Sequence, residues 1–183
     1  MPVTEQYVLS TELPVTRPVA VGQSDLAVGV AAVEIPSYLL DRRIAVGRAT
    51  HELTYLDNDR WAERLDKGMQ RVIAANLEAL LPSDRVFLSA WRRGEVSTEV
   101  YVSIRRFETD EDGRIVLEAH WRITSPGGER TWRADHLLVS RKGPSFRADP
   151  QGAVGILSTA LAEVSARIAA DLRAGSTWSA ASR

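Results

Sequence analysis

The forty-odd residues from Ser97 to Ser140 constrain the fold most, because three runs in a row repeat with the two-residue period of a half-buried strand. In "STEVYVSIRRFE", Val100, Val102 and Ile104 alternate with Tyr101, Ser103 and Arg105. The turn "TDEDGR" carries an Asp-Gly hairpin signal, and "RIVLEAHWRI" then sets Ile115, Leu117, Ala119, Trp121 and Ile123 on one face. On the other face stand Val116, Glu118, His120 and Arg122. A second turn, "SPGGE", leads into "RTWRADHLLVS", so the segment predicts a three-strand antiparallel meander with one buried face.

A buried sheet face needs a covering layer, and two segments have helical periodicity. From Trp61, apolar residues fall at Leu65, Met69, Val72, Ile73, Leu77 and Leu80, one stripe of a helix closed by Pro82. Asp57, Asn58 or Asp59, in "LDNDRWAERL", is read as its cap, with the acidic charges at the positive end of the helix dipole. The second helix opens at Asp149-Pro150, carries Val154, Leu157, Leu161, Val164, Ile168 and Leu172 on one stripe, and ends near Gly175.

The remaining elements are shorter. Tyr7-Val8-Leu9 reads as extended, and Glu12 to Gln23, with Pro14, Pro18 and Gly22, as a surface loop. "LAVGVAAVEIP", from Leu26 to Pro36, suits a buried strand. Arg42 to Ala49 and His51 to Leu56 suit a hairpin, and Arg85 to Ala90 a further strand. The predicted class is α+β, a largely antiparallel sheet that includes the meander, with two long amphipathic helices packed on one face. Residues 1–175 form the expected single domain, and 176–183 a flexible tail in which Trp178 stands ready to dock.

Composition narrows function. With 183 residues, 44% hydrophobic and 26% charged, the chain can bury a core, and 23 basic against 24 acidic residues argue against a nucleic-acid-seeking surface. The absence of cysteine excludes disulfides, thiolate catalysis and CxxC zinc sites. No run reaches the roughly eighteen consecutive apolar residues of a membrane span, and "MPVTEQYVLSTELP" lacks the pattern of an export signal, so the chain as given is expected to be soluble.

Candidate chemistry is sparse. His51, His120 and His136 have no helical ligand spacing, and only His120 and His136, on neighbouring strands, are expected to approach each other. There is no G-x-S-x-G elbow, no S-x-x-K pair and no phosphate-cradling loop, since Gly127-Gly128 reverses the chain between strands. Asp110-Glu111-Asp112 reads as a solvated hairpin tip. Arg105, Arg106, Arg122, Arg130 and Arg133, near Trp121 and Trp132, are interleaved with Glu99, Glu108, Glu118, Glu129 and Asp135, which predicts cross-strand ion pairs and not a nucleic-acid platform. Asp57 and Asp59 lack the expected burial that would separate their pKa values. No catalytic, cofactor-binding or metal-ligating residue is assigned, and no cofactor.

Several longer words carry a resemblance. Tyr7-Val8-Leu9, "VGVAAVEIPSYLLDRRIAV", "NDRWAERLDKGMQRVIAANLEALL" and "YVSIRRFETDEDGRIVLEAHWRI" together resemble the auxiliary lipoproteins of Mce-type ABC lipid-transport systems, the PqiC or YmbA-like family, over about Tyr7 to Ala174. In "DRWAERL", Arg64 stands where that family commonly has proline. The resemblance implies a non-enzymatic periplasmic protein, lipid-anchored at its N-terminus to the outer membrane in the full-length form. It further implies an Mce-domain partner, homo-oligomers, contact with lipid, and a part in lipid transport and envelope integrity. A small hydrophobic-ligand or lipid-binding module is the alternative.

Overall fold

The computed structural model describes residues 4–13, 26–49, 51–83 and 85–175. The expected Pro-rich loop falls largely on residues 14–25, and the tail with Trp178 on 176–183; both lie outside the described residues.

The chain runs β1 (Glu5–Tyr7), β2 (Val28–Val30), a 3-10 turn (Ser37–Leu39), β3 (Arg43–Ala49), β4 (Glu52–Trp61), α1 (Leu65–Leu80), β5 (Val86–Leu88), β6 (Thr98–Asp110), β7 (Arg114–Thr124), a second 3-10 turn (Pro126–Gly128), β8 (Thr131–Lys142) and α2 (Pro150–Ala174). The meander is present: β6 pairs antiparallel with β7 and β7 with β8, the latter in register from Arg114↔Lys142 to Thr124↔Thr131. The β3–β4 hairpin is antiparallel as well.

The sheet as a whole is mixed and not largely antiparallel, which corrects the expected class. β1 runs parallel to β4, β2 parallel to both β5 and β6, and β3 parallel to β6. Hairpins join neighbours in sequence and announce themselves locally, whereas parallel pairs join distant segments through crossovers and leave no local mark. The strand read from Leu26 to Pro36 is likewise reduced to β2. Beyond it the chain stays beside β6 through separate bonds, Glu34 N–H to Val102 O and Ile104 N–H to Glu34 O.

Strand β6 therefore has three neighbours. β7 lines one edge, while the other is shared by β2 at Thr98–Val100 and β3 at Thr109–Asp110. A bulge between Ile104 and Arg106 lies between these two contacts and keeps the inward alternation in phase, with Phe107 opposite Leu117 and Thr109 opposite Ile115.

Both helices belong to the layer over the inner face. Their predicted stripes are the ones buried: Leu65, Met69, Val72, Ile73 and Leu77 in α1, and Val154, Leu157, Leu161, Val164, Ile168 and Leu172 in α2. They join Val100, Val102, Ile104, Leu117, Ala119, Trp121 and Ile123 in one core. Helix α2 has the length and hydropathy to cross a membrane, but 61% of that window is buried inside the fold. Its start is as read, with Asp149 Oδ1 accepting the Gly152 N–H at 2.9 Å and Pro150 in the first turn.

The start of α1 is not. "LDNDRW" is strand: β4 continues to Trp61, with Asp59, Arg60 and Trp61 paired to β1 and Arg60 paired to Arg43. Asp57, Asn58 and Asp59 cap nothing; the helix begins at Leu65 after Arg64, which makes no side-chain cap. Only Asp66 supplies a carboxylate to the first turn. Two ladders, one from a distant part of the chain, override the local capping pattern here. Arg42 secures the junction by donating to the carbonyls of Trp61 (3.1 Å) and Ala62 (2.5 Å).

Candidate functional site

With the inner face covered, the side chains that the meander turns outward are the ones available to a ligand. Register places them in rows: Tyr101, Arg122 and Ala134 in one, and Ser103, His120 and His136 in the next. Glu34 extends the second row through its bridge to Ser103. His120 and His136 approach as expected, their rings stacked at 5.3 Å between centroids. His51 lies apart, at the β3–β4 turn.

These two rows enclose a groove of about 420 Å³, lined by Glu34, Tyr101, Ser103, His120, Arg122 and His136 among others. A second groove of about 760 Å³ opens over the other half of the outer face, where Tyr38, Arg48, His51, Arg106, Glu108 and Arg114 line it. Tyr38 is pushed up to about 12, first by burial and then by the Glu108 carboxylate.

The first groove rests on a built support. Glu99 is only 5% exposed at the start of β6. Its Oε1 accepts the Trp91 indole N–H at 3.1 Å and the Gly127 N–H at 3.0 Å. Its Oε2 accepts the Tyr101 hydroxyl at 2.8 Å. Burial pushes the Glu99 carboxyl up, but these three donors outweigh it and hold the group below its ordinary value. The same hydrogen bond pushes the Tyr101 hydroxyl up. The ring thus fixed carries the Arg122 guanidinium 4.4 Å above its centroid.

Some of the charged residues are paired, though not as predicted. Arg106 meets Glu108, Arg133 meets Asp135 and His120 meets Glu118, each two residues apart on one strand instead of across strands. Residues i and i+2 share a face, so a long arginine reaches its own strand as readily as the next. Glu99 is not an ion-pair partner at all but the hydrogen-bonded support described above.

Trp121 is buried, its indole donating to Asp171 of α2 at 3.0 Å, and Trp132 packs partly buried against the core, so neither offers the imagined stacking platform. Asp110 accepts the Arg114 N–H at the hairpin tip, and Glu111 pairs with Arg48 at 3.7 Å. Among the described residues no group of three or more His, Cys, Asp or Glu side chains is arranged to hold a metal ion. The Arg122–Tyr101 pair and Glu34 were not singled out together from the sequence. Their signal lies in the register, since alternation alone puts Tyr101 and Arg122 outward but does not say that they are opposite.

Comparisons with known proteins agree with this architecture. The sequence matches the family described as ABC-type transport auxiliary lipoprotein component over residues 7–169. The intermembrane transport lipoprotein PqiC of Escherichia coli (strain K12) is 23% identical over 105 residues, covering 57% of this chain and 55% of that protein. PqiC of Shigella flexneri gives the same figures, so the chain spans about half the length of the curated relatives it matches. A crystal structure of an uncharacterized protein is similar with a TM-score of 0.71 at 20% identity, over 93% of this chain and 99% of the other. One from Xanthomonas campestris has a TM-score of 0.69 at 18% identity, over 90% and 92%. At such identities the solved structures show the shared fold. The match over residues 7–169 takes in every strand and helix described except the first two residues of β1 and the last turn of α2, and the chain belongs to the family of ABC-type transport auxiliary lipoprotein components.

Proposed function

We propose that the protein is a non-enzymatic auxiliary component of an Mce-type ABC lipid-transport system, working on the periplasmic side of the outer membrane. In its full-length form an N-terminal lipid anchor holds it there. It docks and scaffolds, meeting an Mce-domain protein and further copies of itself, and so contributes to intermembrane lipid transport and envelope integrity.

The observation that carries this reading is the family match from residue 7 to residue 169, which spans α1, the whole meander and all but the last five residues of α2. The name of the PqiC relatives, intermembrane transport lipoprotein, supports a role in transport between membranes. The fold supports docking. Among the described residues β8 pairs only with β7, leaving a twelve-residue strand with one open edge, and Leu138 on it is 59% exposed. The alternative, a hydrophobe-binding module, needs an apolar cavity between sheet and helices. There Ile104, Leu117, Leu161 and Ile168 pack fully buried, and the two grooves open on the opposite face.

Cross-linking in intact cells, followed by capture of the full-length lipoprotein, tests the reading. Recovery of the Mce-domain protein encoded beside it is the expected result. A clean failure of the lipidated, full-length form to capture it overturns the proposal.

A further inference from the structure

We propose that the groove between Glu34 and Arg122 binds a phosphate ester that also carries an amine, with the phosphate on Arg122 and the ammonium at Glu34. Arg106, on this face, already has Glu108, while Arg133 and Arg141 belong to the inward rows and pair with Asp171 and Glu163 of α2. Arg122 differs. Among the described residues it has no ion pair or side-chain hydrogen bond, and its one partner is the Tyr101 ring at 4.4 Å. A guanidinium stacked in this way keeps its N–H fork open and fixed in plane, which suits two-pronged recognition of a phosphate. The ring beneath is itself immobilised by Glu99, which Trp91 and Gly127 hold in turn. The cation is therefore preorganised.

The opposite charge is in the same groove and equally uncommitted. Glu34 is exposed, its backbone is tied to β6 on both sides, and its carboxylate has no ion pair or hydrogen bond among the described residues. Glu34 and Arg122 do not pair with each other: they stand in adjacent rows on strands either side of β6. That leaves a gap with a positive and a negative end. Ser103 and His120 line the groove between them, with the Ser103 hydroxyl free to donate, and the stacked His136 ring closes it on the far side of His120. The other carboxylates nearby are already engaged, Asp135 by Arg133 and the His136 N–H, and Glu118 by His120. A simple anion leaves Glu34 uncompensated and a simple cation leaves Arg122 so; a zwitterion answers both.

That the ester is a lipid headgroup rests on the transport function proposed above; the groove chemistry does not. The test uses the full chain and three soluble probes, glycerophosphoethanolamine, glycerophosphate and inorganic phosphate, followed by NMR of the histidine rings and the arginine Nε–H groups. The expected result is saturable binding of glycerophosphoethanolamine that shifts His120, His136 and Arg122. Arg122→Gln weakens it by about 10-fold or more, and Glu34→Gln weakens the amine-bearing probe while sparing glycerophosphate. Equal binding by the wild type and Arg122→Gln overturns the proposal, as does no saturable binding up to ~10 mM. Both side chains are exposed, and unchanged melting of the variants confirms that the fold is intact. Co-sedimentation with vesicles of phosphatidylethanolamine and phosphatidylglycerol separates the sources. Loss of vesicle binding in Arg122→Gln supports a lipid headgroup, whereas soluble-ester binding without any vesicle binding overturns the lipid source. Failure to capture an Mce-domain protein bears on the docking function and leaves these titrations untouched.

Discussion

The Trp91 indole lies directly over the α-carbon of Gly29, so that a Cβ built at Gly29 stands 2.8 Å from the ring. Gly29 is on β2, between β5 and β6, and its lack of a side chain lets Trp91 reach Glu99. Gly29→Ala is expected to displace the ring and break its bond to Glu99, at a cost of about 1–3 kcal/mol. Tryptophan fluorescence and denaturant titration read both effects; an unshifted emission with unchanged stability contradicts the contact.

Glu99 gives the fold a pH-dependent contribution. Its pKa is lower in the folded state than in the unfolded chain, so its stabilising effect is complete above the ordinary carboxylate range and is lost as the pH falls through the folded value. Glu99→Gln is expected to be less stable than wild type near about pH 7 and to approach it near about pH 3. Parallel urea titrations across that range check the convergence; a constant difference between the two proteins refutes it.

Trp61 is 5% exposed and packs its ring 6.3 Å from both Phe107 and Phe146. Trp61→Ala removes the largest side chain at the β4–α1 junction and is expected to cost about 3–5 kcal/mol. An unchanged melting temperature contradicts this.

Asp149 and Asp57 form a matched pair of tests for capping. Asp149→Ala removes the acceptor for the Gly152 N–H and is expected to cost ~1 kcal/mol, a fall of roughly 2–4 °C in Tm. Asp57 is exposed on β4 and caps no helix, so Asp57→Ala should change stability by less than about 0.5 kcal/mol. Comparable losses in both variants contradict the placement of "LDNDRW" in the strand.

Between the helices, Asn76 is fully buried and donates to Ser165 Oγ at 3.1 Å, while its Oδ1 accepts nothing. Ser165 keeps its own bond to the Leu161 carbonyl. Asn76→Leu replaces an imperfectly satisfied amide with an apolar group of similar size and is expected to be neutral or stabilising, by up to ~1 kcal/mol. A loss of several kcal/mol shows that the amide is essential to the α1–α2 contact.

What was legible in the sequence divides along contact distance. The meander, the β3–β4 hairpin, both helical stripes and the Asp149 cap depend on neighbours within a turn or a hairpin, and each was readable. The parallel partners of β1, β2 and β3 come from remote segments, and so the mixed sheet was not. "LDNDRW" failed for the same reason: it has the composition of a helix start, and β1 decides otherwise. In the groove, the proximity of His120 and His136 followed from the hairpin, whereas the arrival of Glu34 beside Ser103 depended on an irregular strand that no periodicity marks.

The forked pairing of β6 also bears on how the chain reaches its native state. The meander can zip up by itself, since each strand meets one that is a short turn away, but the opposite edge of β6 waits for segments that were made tens of residues earlier. Loop closure of that length opposes the parallel contacts until a partner surface exists to receive them. The meander is therefore expected to form first and to template the parallel contacts of β2 and β3, and stopped-flow refolding is expected in the milliseconds-to-seconds range of folds rich in non-local contacts.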